Sequence, residues 1–271
     1  MAGGAFAADA AGPVEAASAT PAAGAPAEAS TAYSAKPWAV KLNLYMWLTG
    51  VNGNYTAGPL STTVDKSFID IVNASHRFPL GFMGRVDASY EDFGAFVDGV
   101  WMDLDLKPKS GPRGIGSLQL DSTMGIMDYG VSYRVAGKPD LANWDGASSV
   151  NRADLYVGGR TIWLDNTINP ERLASVSSSK SFTAPILGGR ISVDFGRDFF
   201  VRTDGNIGGF GADNVDFTGG ILGAFGYRLV DAGAPVAIEA GYKALLVEVS
   251  DPGIRTRTTL NGPFLGLTAF W

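Results

Sequence analysis

The single histidine of the chain is the first residue to examine for catalysis, because histidine is the usual general base of hydrolytic enzymes. His76 stands between Ser75 and Arg77. Adjacent side chains of an extended strand point to opposite faces, so Ser75 and His76 are poorly placed to form a nucleophile–base dyad. The chain also has no cysteine, which excludes thiolate metal sites and disulfide bonds. We predict that the protein has no catalytic residues, no cofactor and no metal, and keep an enzyme embedded in a barrel as the least favoured alternative.

Two further patterns could bind small ligands. The segment from Asp213 to Asp216 could hold a hard cation, although acidic segments of this kind are more often solvated turns. Gly-Gly pairs at 158–159, 188–189, 208–209 and 219–220 suggest phosphate-binding loops, but no Lys-Ser/Thr follows them and none opens a helix. Glycines at the bends of tightly curved strands are the better interpretation.

Most of the remaining charge lies at alternate positions within otherwise apolar segments. Alternation with period two puts such residues on one face of a strand. If the strands close into a barrel, that face lines the lumen. The residues predicted to do so are Arg85, Asp87, Asp128, Arg134, Arg160, Arg190, Asp194, Arg202, Asp204, Arg228, Glu239 and Lys243.

The predicted lumen is charged but close to balanced, which leaves two interpretations open. Opposite charges brought together in a narrow barrel can pair and form a plug that stabilises the wall. The same groups could instead line a constricted path for small polar solutes or ions. The formal net charge of −6 and the absence of a basic patch argue against nucleic acid as a partner.

Ten segments of alternating or apolar sequence could form the strands. In the first, Trp38, Val40 and Leu42 fall on one face, opposite Lys41 and Asn43. Most reach the ~9–11 residues that a tilted strand needs to cross a bilayer. The predicted segments are Trp38–Thr49, Phe78–Tyr90, Phe93–Leu106, Leu118–Val135, Asp154–Trp163, Ala184–Phe195, Phe199–Phe210, Phe217–Leu229, Val236–Val249 and Thr256–Trp271.

These segments predict an all-β fold: a transmembrane antiparallel up-and-down barrel of ten strands, with eight or twelve as alternatives. No run of 18 apolar residues is present, so a transmembrane helix is not expected. A soluble sandwich would have shorter strands and a charged outer face. The third and fourth segments are less regular, and each is expected to need a bulge to keep Asp98 or Asp121 away from lipid.

The connections alternate between short and long, as in bacterial outer-membrane barrels. Long links are expected at 50–77, 107–117 and 165–180, and the first of them contains a possible short amphipathic helix over 66–73. The link at 138–151 is long and that at 212–215 is short, against this alternation. An even strand count returns the C-terminus to the side of the N-terminus, which we predict to be the periplasm. Aromatic residues near the strand ends are expected to form interfacial girdles: Trp38, Tyr90, Trp163, Phe195, Phe199, Tyr227 and Trp271.

Residues 1–35 form a tail of Ala, Gly, Pro, Ser, Thr and Glu, with too little apolar surface to fold, so the barrel domain is expected to span 36–271. Ala5-Phe6-Ala7 looks like the end of a secretory signal, from which we predict export. Together with the predicted barrel, export predicts a location in a Gram-negative outer membrane. Cleavage there would expose Ala8, and the resulting Ala-Asp start resembles those of barrels joined to peptidoglycan. The simpler interpretation is an unstructured leader.

Several stretches resemble a family of proteobacterial outer-membrane β-barrel proteins known mostly as uncharacterised: Val201–Gly211, Gly226–Arg228, Gly241–Lys243 and Asn261–Thr268. The resemblance implies an outer-membrane barrel, surrounded by lipid and lipopolysaccharide, and carries no catalytic or ligand-binding residue. The terminal Phe270-Trp271 looks like the signal read by the barrel-assembly machinery, with Trp in place of the more common Phe.

Overall fold

A computed structural model describes residues 38–57, 60–67, 69, 83–106, 118–137, 151–170, 176–196, 198–229, 236–251 and 254–270. Within them, no helix is long and apolar enough to cross a membrane. The strands in chain order are β1 (Trp38–Trp47), β2 (Gly50–Ala57), β3 (Leu60–Lys66), β4 (Met83–Tyr90), β5 (Phe93–Leu106), β6 (Leu118–Ala136), β7 (Arg152–Pro170), β8 (Val176–Phe195), β9 (Phe199–Ala212), β10 (Val215–Arg228), β11 (Val236–Asp251) and β12 (Ile254–Phe270).

Ten of these strands form a closed barrel. The sheet runs β1-β4-β5-β6-β7-β8-β9-β10-β11-β12, with every neighbouring pair antiparallel. Strand β1 pairs with β12 from Lys41 opposite Phe270 to Trp47 opposite Phe264, and this ladder closes the cylinder. Closure pairs the backbone groups of the first and last strands, which is what a sheet needs in order to cross hydrocarbon. The predicted ten-stranded barrel is confirmed.

The other two strands form a hairpin where the sequence predicted a loop. Strand β2 pairs with β12 from Gly50 opposite Asn261 to Ala57 opposite Ile254, and so continues the line of β1 after a break at 48–49. Strand β3 then pairs back onto β2. The prediction of an irregular 50–77 link is therefore wrong for 50–57 and 60–66. The helix expected over 66–73 overlaps β3 at Lys66 and otherwise falls almost entirely outside the described residues.

Strands β7 and β8 are much longer than predicted. They contain 19 and 20 residues and pair with each other out to Ile168 opposite Val176, so the expected loop over 165–180 is wrong for 165–170 and 176–180. Both strands are longer than the ~9–11 residues that a tilted strand needs to cross a bilayer. The sequence of these extensions is polar at consecutive positions, as in Ser177–Ser181, so no apolar alternation revealed them.

The two ends of the barrel differ. We call the end that carries the turns at 91–92 and 196–198, the start of β1 and the end of β12 the turn rim. The opposite end, which carries the β9–β10 turn at 213–214 and the β2–β3 hairpin, is the loop rim. Both ends of the barrel sheet therefore lie at the turn rim.

Side chains alternate between the lumen and the outside. The outward face is apolar, with Val86, Val97, Leu155 and Ile191 each about half exposed. Asp98 is buried and points inward from a β5 whose ladders with β4 and β6 are unbroken, so the bulge expected at Asp98 is wrong. Within the described ladders, register shifts occur between Arg134 and Ala136 and between Val215 and Phe217.

Candidate functional site: the filled lumen

Ion pairs cross the lumen in its middle. Arg190 on β8 donates from Nη1 to Oδ1 of Asp87 on β4 over 2.9 Å, although β4 and β8 stand on nearly opposite sides of the barrel. The same guanidinium donates from Nε to Asp204 on neighbouring β9 over 3.0 Å. One buried arginine thus connects two walls of the barrel.

A second contact spans the barrel through a tyrosine. Lys243 on β11 lies 3.4 Å from Oδ2 of Asp98 on β5, again from the far wall. The Tyr45 hydroxyl donates to Oδ1 of Asp98 over 2.6 Å and accepts from Lys243 Nζ over 2.9 Å. The Tyr45 hydroxyl therefore links the Lys243 ammonium group to the Asp98 carboxylate.

Arg85 connects these two groups. Its guanidinium binds Asp87 through two hydrogen bonds of 2.9 and 3.0 Å, and lies 3.7 Å from Asp98 and 4.0 Å from Asp204. The ring of Phe96 lies 4.4 Å from its Cζ atom, a cation–π contact. Because Arg85 faces three carboxylates, it holds the pairs together as one network.

A further arginine extends the network around the wall. Arg160 binds Asp128 through two hydrogen bonds of 2.7 and 2.6 Å, and also donates to Thr218 and Asn206. Asn206 in turn donates to the Tyr156 hydroxyl over 3.2 Å, and that hydroxyl donates to Asp204 over 2.6 Å.

Arg202 and Glu239 form another buried pair. Their side chains are 10% and 3% exposed, and Nη2 of Arg202 lies 2.6 Å from Oε2 of Glu239. The other oxygen of Glu239 accepts from Thr268 and from Asn43. Every carboxylate oxygen here has a donor, as a buried charge requires.

Smaller pairs lie nearer the turn rim. Arg228 contacts Asp194 over 2.7 Å and Arg152 contacts Asp154 over 2.7 Å. Arg134 pairs with Asp92 of the β4–β5 turn over 3.3 Å. We use the name ionic layer for the central groups alone, without these three smaller pairs. Its members are Tyr45, Arg85, Asp87, Asp98, Asp128, Tyr156, Arg160, Arg190, Arg202, Asp204, Glu239 and Lys243.

The structure places all twelve residues predicted to line the lumen in ion pairs. Nine lie in the ionic layer, and Arg134, Asp194 and Arg228 pair nearer the turn rim. Sequence reasoning missed Asp98, because β5 carries apolar residues on both faces and its alternation is obscured. Tyr45 and Tyr156, whose hydroxyl groups bind carboxylates, are absent from the predicted lumen lining. Period-two alternation does put them on the inward face, with Lys41 and Arg160 respectively, and this was the available signal.

An apolar layer seals the lumen between the ionic layer and the loop rim. Its inward side chains are at most 6% exposed and pack as one cluster. The Trp47 indole donates to the Lys243 and Gly262 carbonyls over 3.2 Å each, which fixes the largest side chain of the layer. We use the name apolar layer for Trp47, Val51, Met83, Val100, Met102, Ile126, Ile162, Ala224, Leu245, Leu260 and Phe264.

The space left inside is small. A cavity of about 50 Å³ lies between the two layers and is bordered by Asn43, Tyr45, Asp98, Arg160 and Phe264, among others. That volume accommodates a few water molecules, at about 10–15 Å³ each by this measure.

Glycines on the inner face make room for aromatic rings. A Cβ atom at Gly226 would lie 2.1 Å from Cζ of Phe200, and one at Gly188 would lie 2.6 Å from the Tyr156 hydroxyl oxygen. The rings thus lie directly over backbone, an arrangement that helps a narrow barrel fill its interior. Gly226, and Gly188 of the 188–189 pair, therefore have a packing role.

The other candidate residues have different surroundings. Asp213 accepts a hydrogen bond from the Thr183 backbone N–H over 2.7 Å, and Asp216 accepts one from the Ser250 hydroxyl. Within the described residues, no group of three His, Cys, Asp or Glu side chains is arranged to hold a metal ion. Phe270 is buried at the turn rim. Ala8, His76 and Trp271 lie outside the described residues.

Comparisons with known proteins agree with the fold. No family model matches the chain, and no curated protein matches it in sequence. The outer-membrane protease OmpT of Escherichia coli is similar in structure, with a TM-score of 0.59 at 11% identity over 87% of this chain and 97% of OmpT. The fold is that of an outer-membrane barrel.

Two other solved barrels align less closely. Ail of Yersinia pestis has a TM-score of 0.37 at 10% identity, over 87% of this chain and 99% of Ail. A FadL homologue of Pseudomonas aeruginosa has a TM-score of 0.30 at 10% identity, over 87% of this chain and 90% of its own. At 11% identity, the similarity to OmpT concerns the fold alone.

Proposed function

We propose that the protein is an outer-membrane barrel with a closed lumen and a structural role. The observation that carries the proposal is the pair of contacts across the lumen, Arg190 to Asp87 and Lys243 to Asp98. Side chains that meet from opposite walls occupy the volume that a solute would need. Ten strands also lie close to the size at which side chains fill a barrel.

The structural role is favoured over the narrow pore. A conducting lumen needs a continuous hydrated path and binding groups weak enough to release an ion. Here each cation of the ionic layer is held by one or more carboxylates, and a dry apolar layer lies in series with it. The side chains of the apolar layer are at most 6% exposed and pack as one cluster, so ions would meet a dewetted barrier on the loop-rim side of the cavity.

The fold alone does not decide enzymatic activity. OmpT is a protease by name, whereas Ail is described as an attachment and invasion protein. The proposed absence of catalysis rests instead on the use of the buried polar groups, because those of the ionic layer are engaged in ion pairs and hydrogen bonds inside the wall.

The proposal includes a location and partners. The apolar outer face fits the hydrocarbon of the outer membrane, with lipopolysaccharide around the loop rim and the turn rim in the periplasm. Phe270 and Trp271 would be read by the barrel-assembly machinery. Attachment to peptidoglycan through Ala8 is an addition to this proposal, tested by mass analysis of the N-terminus after lysozyme digestion. A free Ala8 amine in every molecule would remove it.

Planar-bilayer recording tests the closed lumen. The purified protein is added to a bilayer beside a 16-stranded porin as a positive control, and insertion is verified by resistance of the membrane fraction to carbonate extraction. We expect no discrete conductance at any voltage at which the porin conducts. Reproducible unitary steps from the wild-type protein would overturn the proposal and restore the pore.

A further inference from the structure

Part of β8 has a strand neighbour on one side only, within the residues that the structure describes. β8 pairs with β7 from Ser192 out to Val176, the first residue of β8. Its ladder with β9 reaches only to Ile186, opposite Gly208. Since β7 and β9 are the neighbours of β8 in the strand order, the loop-rim part of β8 has an edge with no described strand beside it.

The sequence explains why the ladder with β9 ends there. The segment 209–211 has φ angles of 98°, 52° and 80°, so β9 leaves the extended conformation beside β8. Pro185, next in the chain to the last ladder residue, has no N–H to donate. Two residues away, the N–H of Thr183 donates to the Asp213 side chain over 2.7 Å, so backbone groups of odd-numbered residues face this edge. We call residues 176–182 the β8 edge.

The β8 edge lies beyond the apolar part of the outer wall. The outward side chains of β8 change from apolar groups to hydroxyl groups at Pro185. Exposed members of this series are, in order toward the loop rim, Phe195, Ile191, Leu187, Thr183, Ser181 and Ser179. Phe182 is buried and packs inward against Val215, which fixes the strand on the barrel. The edge is therefore outside the hydrocarbon, where an open sheet edge is permitted because water solvates it.

We infer that the β8 edge binds an extended segment of another protein by strand addition on the outside of the cell. The inference rests on the proposed orientation, which puts the loop rim outside. A row of backbone N–H and C=O groups at strand spacing is matched in full only by another extended backbone. Ser179 and Ser181 are small and leave room for an incoming strand. Lys180 is also exposed and disfavours a basic segment by like-charge repulsion.

A second copy of this barrel does not fit the edge. Two copies in one membrane are related by a rotation axis along the membrane normal. Barrel strands are tilted from that normal, so two β8 strands related by the axis tilt in opposite senses and cross instead of lying side by side. The segment that completes the edge therefore belongs to a different protein.

Residue-resolved hydrogen exchange, measured by NMR on the full chain in detergent micelles, tests whether the edge is open. The amides of Ser179 and Ser181 share the side of Thr183 and should exchange fast, whereas those of Ser178 and Lys180 face β7 and should exchange slowly. A short synthetic peptide that alternates threonine and glutamate should slow exchange at Ser179 and Ser181 alone. Slow exchange at all four amides without the peptide would show that the chain itself covers the edge, and would overturn the inference.

A proline substitution tests the edge by binding. Ser179→Pro removes a donor that faces the edge and keeps every donor to β7, and Ser179→Thr is the matched control. By fluorescence anisotropy of the labelled peptide, S179P should bind about tenfold more weakly than the wild type, the effect of losing a main-chain hydrogen bond. S179T should bind as the wild type does. Equal affinities for S179P and S179T, or no saturable binding by the wild type, would overturn the inference. Ser181→Pro repeats the test if S179P does not fold.

A separate labelling experiment distinguishes failure of this inference from failure of the proposed function. The chain has no cysteine, so Ser181→Cys provides a single thiol for a membrane-impermeant maleimide. We expect labelling on intact cells. Labelling only after lysis would contradict the proposed orientation and with it an extracellular partner. Labelling on intact cells without peptide binding would contradict the strand addition alone.

Discussion

At the scale of single residues, the buried ion pairs determine how the lumen responds to substitution. Removing one member of a buried pair leaves its partner charged and desolvated, whereas replacing both with apolar residues removes the cost of desolvation. An exposed pair such as Arg257–Glu248, in which Arg257 is 65% exposed, contributes much less. The two kinds of pair can be compared within one molecule.

The Arg202–Glu239 pair provides the sharpest test. We expect Arg202→Met to lower the free energy of unfolding by about 3–5 kcal/mol, because Glu239 then retains only Thr268 and Asn43. The double variant R202M/E239L should recover most of that loss. Arg257→Met should change stability by about 1 kcal/mol or less. The free energies of unfolding of the three variants are measured by urea titration in detergent, with tryptophan fluorescence as the signal. A double variant that is no more stable than R202M would contradict this account.

The contact between Gly226 and Phe200 gives a second prediction. Gly226→Ala should destabilise the barrel by about 1–3 kcal/mol, since the new methyl group would occupy the position of the phenyl ring. Phe200→Leu should relieve much of this effect in the double variant. Gly223→Ala is the control, because a Cβ atom there meets nothing within 4 Å. If G226A and G223A unfold at the same urea concentration, the ring does not lie over the glycine.

At the scale of strands, period-two alternation revealed a strand wherever one face meets lipid and the other carries charge. Strands β4, β9 and β11 have this pattern, with Arg85, Arg202 and Glu239 inward and apolar residues outward. Alternation is absent where the sequence is polar at consecutive positions, as in the outer parts of β7 and β8, or apolar on both faces, as in β5. The β2–β3 hairpin was missed for the first reason, since Asn52–Thr56 and Ser61–Thr63 are mostly polar.

The sequence predicted which charged residues of the candidate site face the lumen, but it did not predict which of them contact one another. The sequence indicates that Arg190 and Asp87 face inward. Their meeting across the barrel depends on strand number, tilt and stagger, which no local pattern contains. The apolar layer escaped prediction because inward Ile126 and Ile162 look like lipid-facing residues in a sequence.

The β9–β10 turn is the element whose backbone geometry is most demanding. Asp213 and Asn214 both have positive φ angles, of 47° and 63°, as a two-residue type I′ turn requires. Asn214→Gly should therefore leave stability unchanged or slightly higher. Asn214→Val should cost about 1–2 kcal/mol, because a β-branched residue is strained in this conformation.

Refolding from urea into detergent distinguishes these two variants by the urea midpoint. Asp213→Asn is a useful companion, because it retains the turn preference while weakening the bond from Thr183 N–H. Equal midpoints for N214G and N214V would show that the turn is not of this type.

At the scale of the whole molecule, the ionic and apolar layers form two seals in series. The ionic layer blocks the lumen by contacts between opposite walls, and the apolar layer blocks it by excluding water. Either one is expected to suffice. A variant that lacks one layer should then show no conductance in a planar bilayer. A barrel closed by only one layer would conduct once that layer is lost.

This arrangement makes the closed lumen testable by combination. Arg85→Ala with Arg190→Ala should remain silent in a planar bilayer, because Trp47 and its neighbours still exclude water. Trp47→Ala alone should also be silent, because the cross-lumen pairs persist. Only the triple variant, in which the largest apolar side chain and both central arginines are gone, is expected to show unitary conductance. Retention of the heat-sensitive shift in gel mobility verifies that each variant is folded. Conductance in R85A/R190A would mean that the apolar layer is hydrated and that the ion pairs alone close the barrel.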